Sequence, residues 1–163
     1  MTVAVRRLDR VSLAVRDLER AREFYERHFG AEFGPVEDVA VDGYRYVPFT
    51  LGGFTLELLA PYRPDSPVAR FLARRGEGLY QLSLLVDDVD AAADELRGDG
   101  LEVIGPRSYP EDVVLEGCRW KEAFVHPRDA FGVLLFLGTR TPVAPPAPAA
   151  DAGAGHGAAR PSH

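Results

Sequence analysis

The chain is 163 residues long with a formal net charge of −6, 46% hydrophobic and 27% charged residues, which suits one soluble domain burying about two-thirds of its unfolded surface. The acidic balance and the lack of a long Lys/Arg run exclude nucleic acid or an anionic membrane as the main partner, so a small-molecule ligand or substrate is expected. A lone Cys118 excludes an internal disulfide, and charges scattered from Arg6 to Arg20 leave no apolar stretch for a signal peptide or membrane span, so a cytoplasmic location is expected.

The first element is a strand around residues 10–15, in which Val11, Leu13 and Val15 alternate with Arg10 and Ser12. Alternate strand residues point to opposite faces. The aliphatic set is therefore expected under a helix, while Arg10 and Ser12 face a concave polar interior that suits a ligand pocket; a solvated outer face is the alternative. Asp17 stands where an N-cap accepts bonds from orphan helix amides, and a helix over Leu18–Phe29 stops at Gly30, a C′ residue. His28, in its last turn, is read as a surface residue favoured by the helix dipole. Three apolar runs broken by Gly and Pro follow, GAEFGP, YRYVPFTLG and FTLELLAP, and read as strands.

From Gln81 the pattern begins again. RVSLAVRDLERARE (residues 10–23) matches QLSLLVDDVDAAAD (81–94), which sets Ser12 against Ser83, Asp17 against Asp88 and Ala21 against Ala92. By the same parity Gln81 and Ser83 face the interior. The second helix is expected over 89–99, ending at Gly100, and LEVIGP, RWKEAFVHP and GVLLFLGT complete the copy, with Glu57 in the first repeat opposite Phe136 in the second. The expected fold is therefore α+β: two tandem βαβββ modules, about 7–61 and 79–138, forming a curved mixed sheet around a central pocket, in one domain over 1–138. From residue 139 the text is rich in Pro, Ala and Gly, and a disordered tail over 139–163 is expected, holding His156 and His163.

The segments LDRVSLAVRDLERAREFY, LELLAPYRPDSPVARFLARRGEGLYQLSLLVDDVDAA and FVHPRDAFGVLLFL together resemble the vicinal-oxygen-chelate superfamily of glyoxalases, bleomycin-resistance proteins and dioxygenases. The likeness covers about residues 7–138 and is greatest to the methylmalonyl-CoA epimerase branch. The resemblance implies a divalent-metal site at positions 10, 57, 81 and 136, which here are Arg10, Glu57, Gln81 and Phe136. Arg has no lone pair to offer and Phe no donor, so no metal and no other cofactor is expected. It also implies two proton-transferring carboxylates, at positions 41 and 136, where this chain has Val41 and Phe136; Asp42 is the neighbouring substitute. His126 matches a His-Pro turn that looks structural in that branch. Arg70, Arg74 and Arg75 are read as a solvated helix face, with a CoA phosphate as the alternative contact.

An ion pair between Arg10 and Glu57 is expected to replace the metal. Arg10, Glu57 and Asp42 are the expected catalytic residues, with Arg10 stabilising an enolate-like oxygen. Ser12, Gln81, Ser83, Tyr46, Trp120, Phe131 and Phe136 are the expected ligand contacts, and a long loop over 107–121 is a second source of specificity. The leading functional expectation is a metal-independent isomerase, cyclase or lyase acting on a small carbonyl or polyketide-like metabolite. A drug- or metabolite-sequestering protein of the bleomycin-resistance kind comes second and a methylmalonyl-CoA epimerase third. Exposed module edges and the resemblance together suggest a homodimer.

Overall fold

The computed structural model describes residues 2–144. In chain order it comprises β1 (Val5–Ala14), α1 (Leu18–Phe29), β2 (Glu32–Phe33), β3 (Glu37–Val39), β4 (Tyr44–Leu51), β5 (Phe54–Pro61), α2 (Pro67–Arg75), β6 (Gly78–Val86), α3 (Val89–Gly98), β7 (Val103–Ser108), β8 (Cys118–Val125) and β9 (Leu134–Pro142). The strands form one open mixed sheet in the order β2-β4-β5-β1-β6-β9-β8-β7, with β3 paired to β4. The two halves meet where β1 runs antiparallel to β6, and each half adds its last strand in parallel, β5 on β1 and β9 on β6.

Local chemistry sets the helix ends. The Asp17 carboxylate accepts from the Arg20 amide and Gly30 closes α1 in the left-handed region at φ 64°, while Asp88 accepts from the amides of Asp90 and Ala91. Helix α3 ends at Gly98, one residue before expectation. The first half is less regular than the repeat implies: GAEFGP contributes only the two residues of β2, and β3 is an additional short strand.

Strand parity sorts side chains into two layers. Val47, Phe49, Leu58 and Ala60 pack with Leu18, Ala21 and Tyr25 of α1; Ala123, Val125 and Leu137 pack with Val89, Ala92 and Ala93 of α3. The alternate residues, Tyr46, Leu59, Trp120 and Phe136, gather in a third cluster on the concave side, closed by Val68 and Leu72 of α2. Strand β9 runs through Pro142, beyond the expected start of the tail, because Thr139–Pro142 complete the ladder with Lys121–Cys118. The rest of the expected tail, with His156 and His163, lies outside the described residues.

Candidate functional site

Register on the four central strands converges the inward side chains. Ser12 stands beside Glu57 and across from Gln81, Arg10 lies across from Ser83, and Ser83 stands beside Phe136. Arg10 and Glu57 are only 7% and 6% exposed. The Arg10 Nη1 donates to Glu57 Oε2 at 3.1 Å, and the Ser12 hydroxyl donates to Glu57 Oε1 at 2.5 Å. The guanidinium also meets Asp9 Oδ2 at 3.0 Å and Glu116 Oε2 at 2.8 Å, and stands 5.9 Å from the centre of the Trp120 ring. Burial alone would lower the pKa of Arg10, but the surrounding carboxylates of Glu57, Glu116 and Asp9 outweigh it and hold the cation charged. For Glu57, burial wins over the guanidinium and the hydroxyl, and its pKa is raised above the ordinary carboxylate range.

A second buried carboxylate enters from β8. Glu122 is 2% exposed, accepts from Arg107 Nε at 2.6 Å and is hydrogen-bonded by the Tyr109 hydroxyl. Its pKa is likewise raised, by burial that Arg107 only partly offsets. Glu57 and Glu122 thus share one construction, an arginine plus a hydroxyl on a desolvated carboxylate. Tyr44 lines the same cavity, and burial first, then Tyr109, then the Glu57 and Glu122 carboxylates raise its pKa well above the usual phenol.

The cavity they line is small, about 60 Å³. Arg10, Tyr46, Glu57, Gln81, Ser83, Trp120 and Phe136 all line it, and Ser12 lies behind Glu57. Two expected residues do not. Asp42 follows β3 in a tight turn and is drawn away by Arg107, which donates to its Oδ1 at 3.1 Å. Phe131 sits in the left-handed region at φ 54° in the turn before β9 and points fully into solvent. Arg107, Tyr109 and Glu116 join the site from the 107–121 segment that was expected to carry specificity, and Glu122 joins it without having been expected. The strand alternation that picks Trp120 also picks Glu122 two residues on, so that signal was present in RWKEAFV. Glu116 had no signal beyond its place in the 107–121 segment, since it reaches Arg10 from between β7 and β8, where no strand alternation runs.

The four positions that the resemblance assigns to a metal do converge, but the donors do not fit a divalent ion. A guanidinium occupies the centre of the carboxylates, and Gln81 and Phe136 supply one neutral oxygen and a ring. Among the described residues no group of three or more His, Cys, Asp or Glu is placed to hold an ion.

A family model described as Glyoxalase/Bleomycin resistance protein/Dioxygenase superfamily matches residues 7–135. The chain is 34% identical over 132 residues to the mitochondrial methylmalonyl-CoA epimerase of Homo sapiens, covering 80% of this chain and 72% of that protein. It superposes on the crystal structure of methylmalonyl-CoA epimerase from Mycobacterium tuberculosis with a TM-score of 0.73 at 33% identity, over 87% of this chain and 93% of that one. A variant of the Streptomyces coelicolor methylmalonyl-CoA epimerase in complex with 2-nitronate-propionyl-CoA aligns with a TM-score of 0.69 at 31% identity, over 85% and 98% of the two chains. These relatives overturn the functional ranking of the sequence analysis. A metal-independent isomerase, cyclase or lyase of small carbonyl or polyketide-like compounds, and a sequestering protein, both give way to the epimerase reading that was placed last. That ranking weighed four altered positions against a likeness that extends over four-fifths of the chain. It also looked to Asp42 alone to replace the missing carboxylates, and Asp42 does not line the cavity, whereas the buried Glu122 of β8 does.

Proposed function

Since the chain belongs to the glyoxalase/bleomycin resistance protein/dioxygenase superfamily, we propose that it epimerises an acyl-CoA of the methylmalonyl-CoA type at the carbon between the thioester and the free carboxylate. The observation that carries this reading is the pair of buried carboxylates, Glu57 from the first half and Glu122 from the second, in one pocket with a fixed guanidinium. Epimerisation needs a base on one face of the carbon and an acid on the other. One carboxylate removes the α-proton; the electron pair moves onto the thioester oxygen, which Arg10 stabilises; the other, protonated, carboxyl returns a proton to the opposite face. The two groups exchange protonation states, and no co-reactant is consumed. Burial raises both pKa values, which favours the protonated form of each over that of a solvated carboxylate.

No step is assigned to a divalent ion, because the Arg10 guanidinium stands where the ion's ligands would converge. The substrate's free carboxylate takes the place of Glu116 on Arg10, opening the small cavity. Tyr46, Ser83 and Gln81 bound the acyl group, with Trp120 and Phe136 as its apolar walls. A homodimer belongs to the same reading, supported by the exposed Phe24 and Phe29 of α1, which a second copy would cover. So does a cytoplasmic location; among the described residues no helix is long and apolar enough to cross a membrane.

The test is deuterium exchange at the α-carbon, followed by NMR on each epimer of methylmalonyl-CoA with a chelator present. Exchange from both epimers is expected in the parent. Glu57→Gln and Glu122→Gln should each slow exchange of a different epimer, by roughly 10²–10⁴-fold. Exchange that requires an added divalent ion, or that ignores both substitutions, overturns the assignment.

A further inference from the structure

Glu122 owes its partners to an irregularity in β7. The pairing of β7 with β8 opens with Val103 opposite Val125 and Ile104 opposite Phe124, and an unbroken ladder would then set Pro106 opposite Glu122. The register shifts between Ile104 and Arg107, so Arg107 takes that place instead. One extra residue turns every later side chain to the other face of the sheet. Arg107 and Tyr109 thereby come to the face that carries Glu122 and Trp120.

The guanidinium is also gripped from the first half. Its Nε meets Glu122 Oε1 at 2.6 Å, while its two other nitrogens take both oxygens of Asp42, Nη1 on Oδ1 at 3.1 Å and Nη2 on Oδ2. The guanidinium carbon stands 5.4 Å from the centre of the Tyr109 ring. Asp42 itself is held by its turn. The amides of Asp42 and Gly43 donate to the Val39 carbonyl at 3.1 and 2.9 Å, and those of Tyr62 and Arg63 donate to the Gly43 carbonyl at 3.0 and 3.1 Å. At Gly43, with φ 68°, an added Cβ would fall 2.8 Å from that of Arg63, so the turn leaves no room for a side chain there.

A counter-ion for Glu122 would need no second carboxylate. Asp42 leaves two negative charges on one positive, beside a pocket whose proposed substrate is itself an anion, so charge balance does not explain it. A forked pair adds fixed geometry: a pinned turn clamps a long, flexible arginine, and the arginine clamps the carboxyl.

We infer that Asp42 and Arg107 are positioning residues for the Glu122 carboxyl, a strut from the β3–β4 turn of the first half to β8 of the second. The inference rests on the epimerase reading for the reaction that the strut serves. Burial raises the proton affinity of Glu122 most, Arg107 and the Tyr109 hydroxyl lower it, and Asp42 raises it again. Tyr44 of β4 and Tyr80 of β6 also act on or feel this carboxylate, Glu57 of β5 lines the same cavity, and Gly138, opposite on β9, has no side chain.

The test pairs two readouts on the full chain: titration of the Glu122 carboxyl by carbon NMR without ligand, and α-proton exchange kinetics on methylmalonyl-CoA. Arg107→Met is expected to raise the Glu122 midpoint by about 1 pH unit or more, and Asp42→Asn to lower it. Arg107→Lys keeps the charge and a midpoint near the parent's, but an ammonium does not fork onto two carboxylates, so kcat stays reduced. Asp42→Asn should lower kcat roughly ten-fold with KM little changed. Added to Arg107→Met it should cost no further kcat, because Asp42 acts through the arginine. Losses that multiply in the double variant, or a kcat restored in full by Arg107→Lys, overturn the inference. The expected Glu122 midpoints in a chain that exchanges no α-proton sustain the strut and remove the proposed function. Exchange that depends on Glu122 but on neither Asp42 nor Arg107 does the reverse.

Discussion

Glu57 illustrates how much one residue's chemistry depends on its neighbours. A carboxylate buried alone at this depth would cost several kcal/mol, and Arg10 and Ser12 offset most, though not all, of that cost. Its pKa is raised above the unfolded value of 4.5, so the folded state binds the proton more tightly. The stability this group contributes is therefore fully present below the unfolded pKa and is lost as pH rises through the folded one. Urea unfolding across a pH series should show Glu57→Gln flattening the decline of stability as pH rises above the unfolded pKa; an unchanged slope would overturn the raised pKa of Glu57. At this scale the sequence was partly legible. Arg10, Ser12 and Glu57 follow from parity and from the repeat. Glu116 does not, because its contact is made across a segment with no period to read.

The secondary elements carry their instructions locally. Asp17, Gly30 and Asp88 could be read as caps because a cap's chemistry involves only its own turn. Asp88→Ala should therefore cost about 1 kcal/mol of stability, seen as an earlier midpoint in chemical denaturation, with kcat unchanged because α3 packs on the far side of the sheet from the pocket. A loss of turnover without loss of stability would contradict that separation. Strand β3 was illegible for the complementary reason: three residues paired to β4 have too few alternations to show a period, and only the neighbouring strand makes them a strand. The stretch expected as a loop over 107–121 is shorter, since Cys118–Lys121 already pair with β9. Phe131 was misplaced because the turn that turns it outward depends on the backbone of Ala130 to Gly132, not on strand alternation.

For the molecule as a whole, duplication explains why the pocket exists at all. Both halves offer their inward faces to the β1–β6 seam, so residues from different halves, such as Arg10 and Ser83, become neighbours. The repeat in the sequence was enough to foresee this convergence. It did not reveal the chemistry, because the halves have diverged: equivalent positions beside Ser12 and Ser83 hold a carboxylate in one half and a phenyl ring in the other. That mismatch has a kinetic consequence. Two epimers of one thioester differ little in free energy in water, so the ratio of forward to reverse kcat/KM is pinned near one whatever the enzyme does. A lopsided chamber can then express its preference only by holding one handed form more firmly and releasing it more slowly. Initial rates from each pure epimer should show a lower KM matched by a proportionally lower kcat on one side; identical constants in both directions would show that the bound carbon never senses which wall is charged and which is oily.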